Sequence, residues 1–348
     1  MDSTRPFLIP LDKGRDEDEQ IVGSKAVKLG LLAQAGFAVP QGFCVTTWAY
    51  EAFVKEHKII DAIRMELGRK SMEDMRWEEI WDAALRLRST FLAQPLSHDF
   101  VAAISDSMER FQSSVTLAVR SSAIGEDSCG SSFAGLHESI LGVTGGKSLE
   151  DAIRLVWASL WSDAALLYRQ ELGLDPTQSR MAVLVQAMVH ADRSGVAFGR
   201  DPRDMSKDQA IMESVPGRCS LLVDCFVDLD RWELSRQTGK VIAWLPGERP
   251  DANKKTPLLA PRDLEEILDT LLSVERLFRW SADMEWTGRA DSLTVLQARP
   301  ITTPEPDDDE MRSWYLTLRP GDARLKELRG RVVDELIPQL AAEGEALA

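Results

Sequence analysis

Leu117-Ala118-Val119-Arg120-Ser121-Ser122-Ala123, continued by Ile124-Gly125-Glu126-Asp127-Ser128-Cys129-Gly130-Ser131-Ser132 and Phe133-Ala134-Gly135-Leu136-His137-Glu138-Ser139, is the stretch that decides how this chain folds. The alternation of Leu117 and Val119 predicts a strand. That strand delivers Arg120 into a loop of small residues, where backbone N–H groups can crowd around an anion. The guanidinium adds planar, two-pronged hydrogen bonding to such an anion. An ordinary surface hairpin has the same local pattern, so the stretch by itself leaves both readings open.

Its residue order is more specific. It resembles the Arg-Ser-Ser-Ala-Thr-x-Glu-Asp…Ser-Phe-Ala-Gly signature of the nucleotide-binding domain shared by pyruvate phosphate dikinase, phosphoenolpyruvate synthase and rifampicin phosphotransferase. Further segments match the same family in the same order, from about residue 21 to 303. The resemblance implies an α+β, two-lobed ATP-grasp fold with mixed sheets and flanking helices, the nucleotide lying in the cleft between lobes. It implies Arg120, Gly135 and Ser139 as nucleotide contacts. The expected domain is 1–303, with approximate parts 1–112, 113–204 and 205–303, followed by an acidic linker and an amphipathic helix over 304–348.

Composition narrows the class. The chain has 348 residues, 44% hydrophobic, with 56 acidic against 41 basic side chains and a net charge of −15. That length and apolar content suffice for a large core. The acidic balance argues against nucleic-acid binding and makes any basic cluster a local anion site. No apolar run approaches the ~18–20 residues of a membrane span, and the polar N-terminus (Asp2, Ser3, Thr4, Arg5) does not read as a secretory signal. Cys44, Cys129, Cys219 and Cys225 lack metal-ligand spacing and read as reduced thiols of a cytoplasmic protein, with Cys129 nearest the chemistry.

Upstream, Gly23-Ser24-Lys25-Ala26-Val27-Lys28-Leu29-Gly30 opens a helix with Ser24 as N-cap and Gly36 as its left-handed stop. A lysine in the first turn opposes the helix dipole unless an anion binds there. Lys25 falls where the family has its phosphate-contacting Gly-Gly-Lys, although Ser24, Ala26 and Lys28 depart from that pattern. Val39-Pro40-Gln41-Gly42-Phe43-Cys44-Val45-Thr46-Thr47 reads as turn, core strand and cap. Helical patterns fill Ile60 to Phe111, broken at Pro95, with Trp77 and Trp81 expected in the core.

Leu141-Gly142-Val143-Thr144-Gly145-Gly146-Lys147-Ser148 imitates a phosphate-binding Gly-x-x-x-x-Gly-Lys-Ser loop, but Leu141 stands at the first glycine position. Ser148-Leu149-Glu150-Asp151 reads better as a capped helix start. Met181–Val189 is a nearly continuous apolar strand. It resembles the family's hinge along the adenine edge, which implies contacts from Gln186 and Met188. Ala210–Ser214 matches a family strand that ends in Glu213, a further nucleotide contact. The departure that follows, Gly217-Arg218-Cys219-Ser220 in place of Gly-Leu-Gly-Glu, weakens that carry-over.

Asp283-Met284-Glu285-Trp286 alternates as a strand with both carboxylates on one face, and Gln297 and Arg299 share a face of the next strand. Hard oxygen donors of this kind suit Mg²⁺ bridging phosphates. The resemblance to Asp-Ile-Glu-Trp…Leu-Gln-Ala-Arg-Pro-Ile-Thr implies Glu285, Gln297 and Asp283 as metal ligands. It casts Arg299, with Lys25 and Arg120, as a catalytic phosphate contact.

Full-length relatives carry a swivelling domain with a phosphorylated histidine, and a further acceptor domain. His57, His98, His137 and His190 do not stand in such a motif, so the expectation is an ATP-binding subunit that hands the β-phosphate of Mg-ATP to a histidine on a separate partner, leaving AMP and phosphate. Stand-alone chains of this kind resemble the small ATP-binding subunit of phenylphosphate synthase, which helps phosphorylate phenol. The alternatives are an excised domain of a single-chain phosphotransferase, a non-catalytic nucleotide sensor, and an ATP-grasp carboxylate–amine ligase acting alone.

Overall fold

The computed structural model describes residues 5–14, 18–70, 74–112, 114–124, 127–128, 131–132, 137–189, 191–217, 229–247 and 256–301, with 127–128 and 131–132 described by backbone alone. All lie in one compact unit, Met1–Thr302. The linker and helix expected over 304–348 lie outside the described residues, as do Gly125, Cys129, Gly135, Cys219 and Cys225.

The strands are β1 (Leu8–Pro10), β2 (Gly42–Val45), β3 (Leu117–Ala123), β4 (Asp127–Ser128), β5 (Ser131–Ser132), β6 (Ser139–Val143), β7 (Met181–Ala187), β8 (Arg193–Phe198), β9 (Gln209–Pro216), β10 (Asp230–Ser235), β11 (Val241–Leu245), β12 (Ala282–Thr287) and β13 (Thr294–Pro300). The helices are α1 (Glu19–Gln34), α2 (Thr47–Glu56), α3 (Ile59–Leu67), α4 (Trp77–Ala93), α5 (His98–Met108), α6 (Gly146–Ser159), α7 (Asp163–Glu171) and α8 (Pro261–Phe278). They build a five-stranded sheet, β1-β2-β7-β3-β6, and a six-stranded sheet, β11-β10-β9-β8-β12-β13, while β4 and β5 form a separate ribbon. Every strand pair among the described residues is antiparallel, which corrects the expectation of mixed sheets. Hairpins and meanders such as β8-β9-β10-β11 and β12-β13 supply antiparallel neighbours directly, without a crossover between parallel strands.

β7 reads as an unbroken apolar run because both its faces are buried. Met181, Val183 and Val185 join the core beneath α2–α6, while Ala182 and Leu184 join the core shared with the second sheet. The first core is aromatic. Tyr50, Phe53, Phe91, Phe100, Trp157 and Trp161 pack together, and the two indoles bond Met181 O and the Tyr50 hydroxyl. α1 packs against β3, β7 and β13, hence against both sheets. Its C-terminus is a Schellman motif. Gly36 takes φ +91°, its N–H donates to Ala33 O, and the Phe37 N–H donates to Leu32 O, as expected of a helix stopped by glycine.

Three local expectations are corrected. Trp77 and Trp81 are not core: they are 58% and 47% exposed, because α4 buries the neighbouring stripe Ile80, Ala83, Ala84, Leu87 and Phe91. α6 starts at Gly146 with Gly145 at the cap, φ +78°, so Ser148 lies inside the helix rather than capping it. Ser24 does not cap α1 either, as the site itself explains.

Candidate functional site

α1 is interrupted at Gly23, which has φ +76° and ψ 166°. A Cβ there would lie 1.9 Å from Ser122 O, so only glycine lets the helix approach β3 this closely. The helix restarts beyond the kink, and its buried N-terminus is capped from outside: Ala26 N donates to Ser122 Oγ at 3.1 Å. Ser24 Oγ donates back to Glu19 Oε1 instead. This arrangement puts Lys25 at the end of β3, its Nζ 3.5 Å from Ser121 Oγ. Arg120 is the next residue along that strand, and Ser139 stands opposite it in the β3–β6 register.

The second sheet brings the carboxylates together by register. Glu213 pairs with Val196, Val196 with Glu285, and Glu285 with Gln297, forming one row across β9, β8, β12 and β13. Cross-strand partners share a face, so Glu213, Glu285 and Gln297 all look the same way. Glu213 is then about 10 Å from Glu285, two strand spacings. In the adjoining row Asp283 pairs with Arg299, and Arg299 Nε donates to Asp283 Oδ2 at 2.7 Å.

Arg120 joins the two sheets. Its Nη2 donates to Gln297 Oε1 at 2.8 Å and to Glu285 Oε2 at 3.2 Å, while Nη1 reaches Leu296 O at 3.5 Å. Arg120 and Glu285 are each 18% exposed, so the ion pair is neither dry nor fully solvated. One nitrogen touching both oxygens means that the carboxylate and the amide oxygen converge on a single point. That donor pair fits Mg²⁺, which takes a few hard protein oxygens and keeps the rest of its shell for water and phosphate. Asp283, the third expected ligand, lies in the adjoining row with its Oδ2 held by Arg299, as Glu285 and Gln297 are held by Arg120.

Gln186 is buried on β7, on the face that carries Ala118 and Arg120 of neighbouring β3, and its Nε2 has no acceptor among the described residues. Met188 commits its N–H to Thr116 O at 2.8 Å, and its Sδ accepts from Gly142 N. Lys147, of the imitation phosphate loop, is a surface lysine paired with Glu150 and Asp151, as the reading against that loop requires.

Some residues near the site carried no motif. Arg231 lies opposite Glu213 and donates to its Oε1 at 2.8 Å, with Asp201 3.7 Å away. The alternation of Asp230, Trp232 and Leu234 was the available signal, because it faces Arg231 toward Glu213. Asp230, fully buried, accepts from Gly247 N and Leu258 N and so ties two chain segments to the edge of β10. The His137 imidazole is held neutral, pulled down to about 3, by burial first and then by the Arg169 guanidinium and the Lys25 ammonium.

Residues 19–314 match the family model described as pyruvate phosphate dikinase, AMP/ATP-binding domain. The chain belongs to that family. It is 32% identical to a rifampicin phosphotransferase of Streptomyces sviceus, over 88% of this chain and 37% of that one. It is 30% identical to a phosphoenolpyruvate synthase of Aeropyrum pernix, over 86% and 42%. Among solved structures, a dinucleotide-forming acetyl-coenzyme A synthetase of Ca. Korarchaeum cryptofilum aligns at 15% identity and a TM-score of 0.32, over 62% of this chain and 90% of that one. The chain spans between 27% and 44% of the length of the curated relatives compared. Among the described residues no helix is long and apolar enough to cross a membrane.

Proposed function

We propose that this family member is the nucleotide-activating part of an ATP-dependent phosphotransferase of the dikinase type, holding Mg-ATP between its two sheets in the ATP-grasp manner. Arg120 carries this reading: it reaches from the strand with the family signature to the Glu285–Gln297 pair on the other sheet.

Lys25, Arg120 and Arg299 are assigned to the phosphate chain, whose charge grows on the transferring group and is neutralised by fixed cations. Glu285 and Gln297 are assigned to the metal. Bound there, Mg²⁺ would supply charge neutralisation and a template for the β- and γ-phosphates. Binding of the nucleotide requires Arg120 to turn from these oxygens to phosphate. Gln186 is assigned to the base, and Glu213, oriented by Arg231, to the sugar side, with Ser139 and Gly135 flanking the phosphates. The acceptor is a histidine carried outside these 348 residues, on a partner subunit. Its ring nitrogen bonds to Pβ as the Pα–O–Pβ bridge breaks and the bridging oxygen leaves with AMP. Water then cleaves the Pβ–O–Pγ bridge, releasing phosphate and leaving one phosphoryl group on the histidine. The final acceptor in this scheme can be a phenol, as in phenylphosphate synthase.

The test uses ATP labelled at the β-phosphate, added with Mg²⁺ to source-cell extract with and without the purified chain. Acid-labile label on a larger protein, appearing only when the chain is present, supports the proposal. ATP binding without any labelled protein would leave a nucleotide sensor as the better reading.

A further inference from the structure

A helix on a protein surface ordinarily buries one apolar stripe and turns a polar face to water. α4 carries two such stripes. The first, Ile80, Ala83, Ala84, Leu87 and Phe91, is buried in the aromatic core. The second, Trp77, Trp81, Leu85 and Leu92, lies about 100° round the helix and is open to water. Intervals of four, four and seven residues hold these side chains on one face over roughly 22 Å. Arg88 stands in the same stripe, between Leu85 and Leu92. A continuous apolar face of this kind marks an interaction surface.

Its charges narrow the partner. The two indoles border a hollow of about 470 Å³ that Arg76, Glu78, Glu79 and Asp82 also line. Arg76 pairs with Glu79, and Asp82 shares Arg86 with buried Glu66, so Glu78 and Asp82 leave the hollow net negative. Towards the other end of the stripe the sign reverses. Arg88 Nη2 donates to Glu138 Oε1 at 2.8 Å, while its Nε is buried with no acceptor among the described residues. The face therefore suits an apolar helix with a cation opposite the tryptophans and a carboxylate opposite Arg88. α4 itself, turned end for end, meets that description. With a two-fold axis beside the Ala84–Leu85 peptide bond, Trp81 of each copy faces Arg88 of the other. Trp77 then faces Leu92, and Asp82 falls between Arg86 and Arg88. The arginine over the indole adds a cation–π contact, and the symmetry makes every pair twice.

We propose that this face of α4 is a self-association surface, occupied by α4 of a second copy of the chain lying antiparallel to it. One helix face is small beside the ~800 Å² per partner of a standard interface. The dimer should accordingly form and dissociate with concentration.

Sedimentation velocity of the full chain over a wide concentration series tests the pairing. Wild type should pass from monomer to dimer as its concentration rises. Trp81→Ser should weaken association roughly tenfold or more, the scale of a buried aromatic anchor. In dilute solution, where wild type is also monomeric, this variant should be as stable as wild type. Asp82→Arg and Arg88→Asp should each stay monomeric, because each sets like charges opposite one another. Their equimolar mixture should dimerise again, which requires positions 82 and 88 to meet across the interface. Wild type that remains monomeric at every concentration overturns the proposal and leaves the face to a different protein. A dimer that all three variants form as well as wild type overturns it too, since the copies then meet elsewhere. Reversals that abolish the dimer without rescue in the mixture overturn the antiparallel pairing. If Arg88→Asp does not fold beside Glu138, undiminished association of Trp81→Ser and Asp82→Arg is the overturning result.

Discussion

Arg120 Nη2 donates to Gln297 Oε1 at 2.8 Å, a bond between a strand of the first sheet and a strand of the second. The guanidinium thereby sits on oxygens that a divalent cation would need. Arg120→Ala should therefore bind Mn²⁺ without nucleotide, whereas the wild-type chain should require ATP first. Paramagnetic resonance of free and bound Mn²⁺ measures this. Equal nucleotide-independent binding by both chains would refute the competition.

Glu285→Gln keeps the shape of the side chain and removes its charge. The pair it breaks is partly solvated, so stability should change by about 1 kcal/mol or less. Phosphoryl transfer should fall roughly 100-fold or more, the usual scale for losing a group that organises transition-state charge. A β-phosphate transfer assay beside a thermal melt separates the two. Wild-type transfer by this variant would remove Glu285 from the metal site.

Gly23→Ala places a methyl group against Ser122 O and forces a left-handed backbone angle on an L-residue. A loss of roughly 1–3 kcal/mol in urea unfolding is expected, together with weaker ATP binding because Lys25 rides on the same kink. Stability and affinity equal to wild type would show that α1 can retreat from β3 at no cost.

Trp157→Ala should cost about 3–5 kcal/mol, as expected for emptying an aromatic core site. Trp81→Ser should stay within about 0.5 kcal/mol. Chemical denaturation of both variants provides the comparison, and a large loss in Trp81→Ser would mean that the exposed stripe of α4 is covered in solution.

His137 gives the chain a pH dependence of known sign. Its folded value is depressed to about 3 from 6.5, so between those limits the unfolded chain binds the extra proton. Stability should be level above pH 6.5 and fall on acidification below it, by at most about 1.4 kcal/mol per pH unit. The actual slope should be smaller because the residue is partly exposed. Urea unfolding at pH 7 and pH 5 should show a larger drop in wild type than in His137→Gln. Equal drops would mean that the imidazole is protonated freely.

Much of this was legible in one dimension. Period-2 patterns located β3, β12 and β13, but the pairing of Glu285 with Gln297 depends on a register shift between Glu285 and Trp286 that the short antiparallel connection does not reveal. Gly36 announced the end of α1 through the backbone angle it alone tolerates cheaply. Other features were hidden because they depend on contacts distant in sequence. Ser122 caps a helix 96 positions earlier, so nothing near Ser24 reveals that its own hydroxyl turns back to Glu19 instead. The ion pair of Asp283 with Arg299 depends on the pairing of β12 with β13 and is not marked by either residue's neighbours. Trp77 and Trp81 have helical spacing, but spacing fixes only that they share a face, and the burial of that face depends on where α6 lies.

β7 belongs to two cores at once, and this bears on how the chain can be divided. Its odd residues complete one hydrophobic interior and its even residues the other. A fragment ending after Ala187 would strip the cover from Ala182, Leu184 and Cys44. One beginning at Arg193 would lose the surface on which Met212, Met284 and Trp286 rest. Neither half is a module that recombination could transplant, so any gene fusion must carry both sheets together.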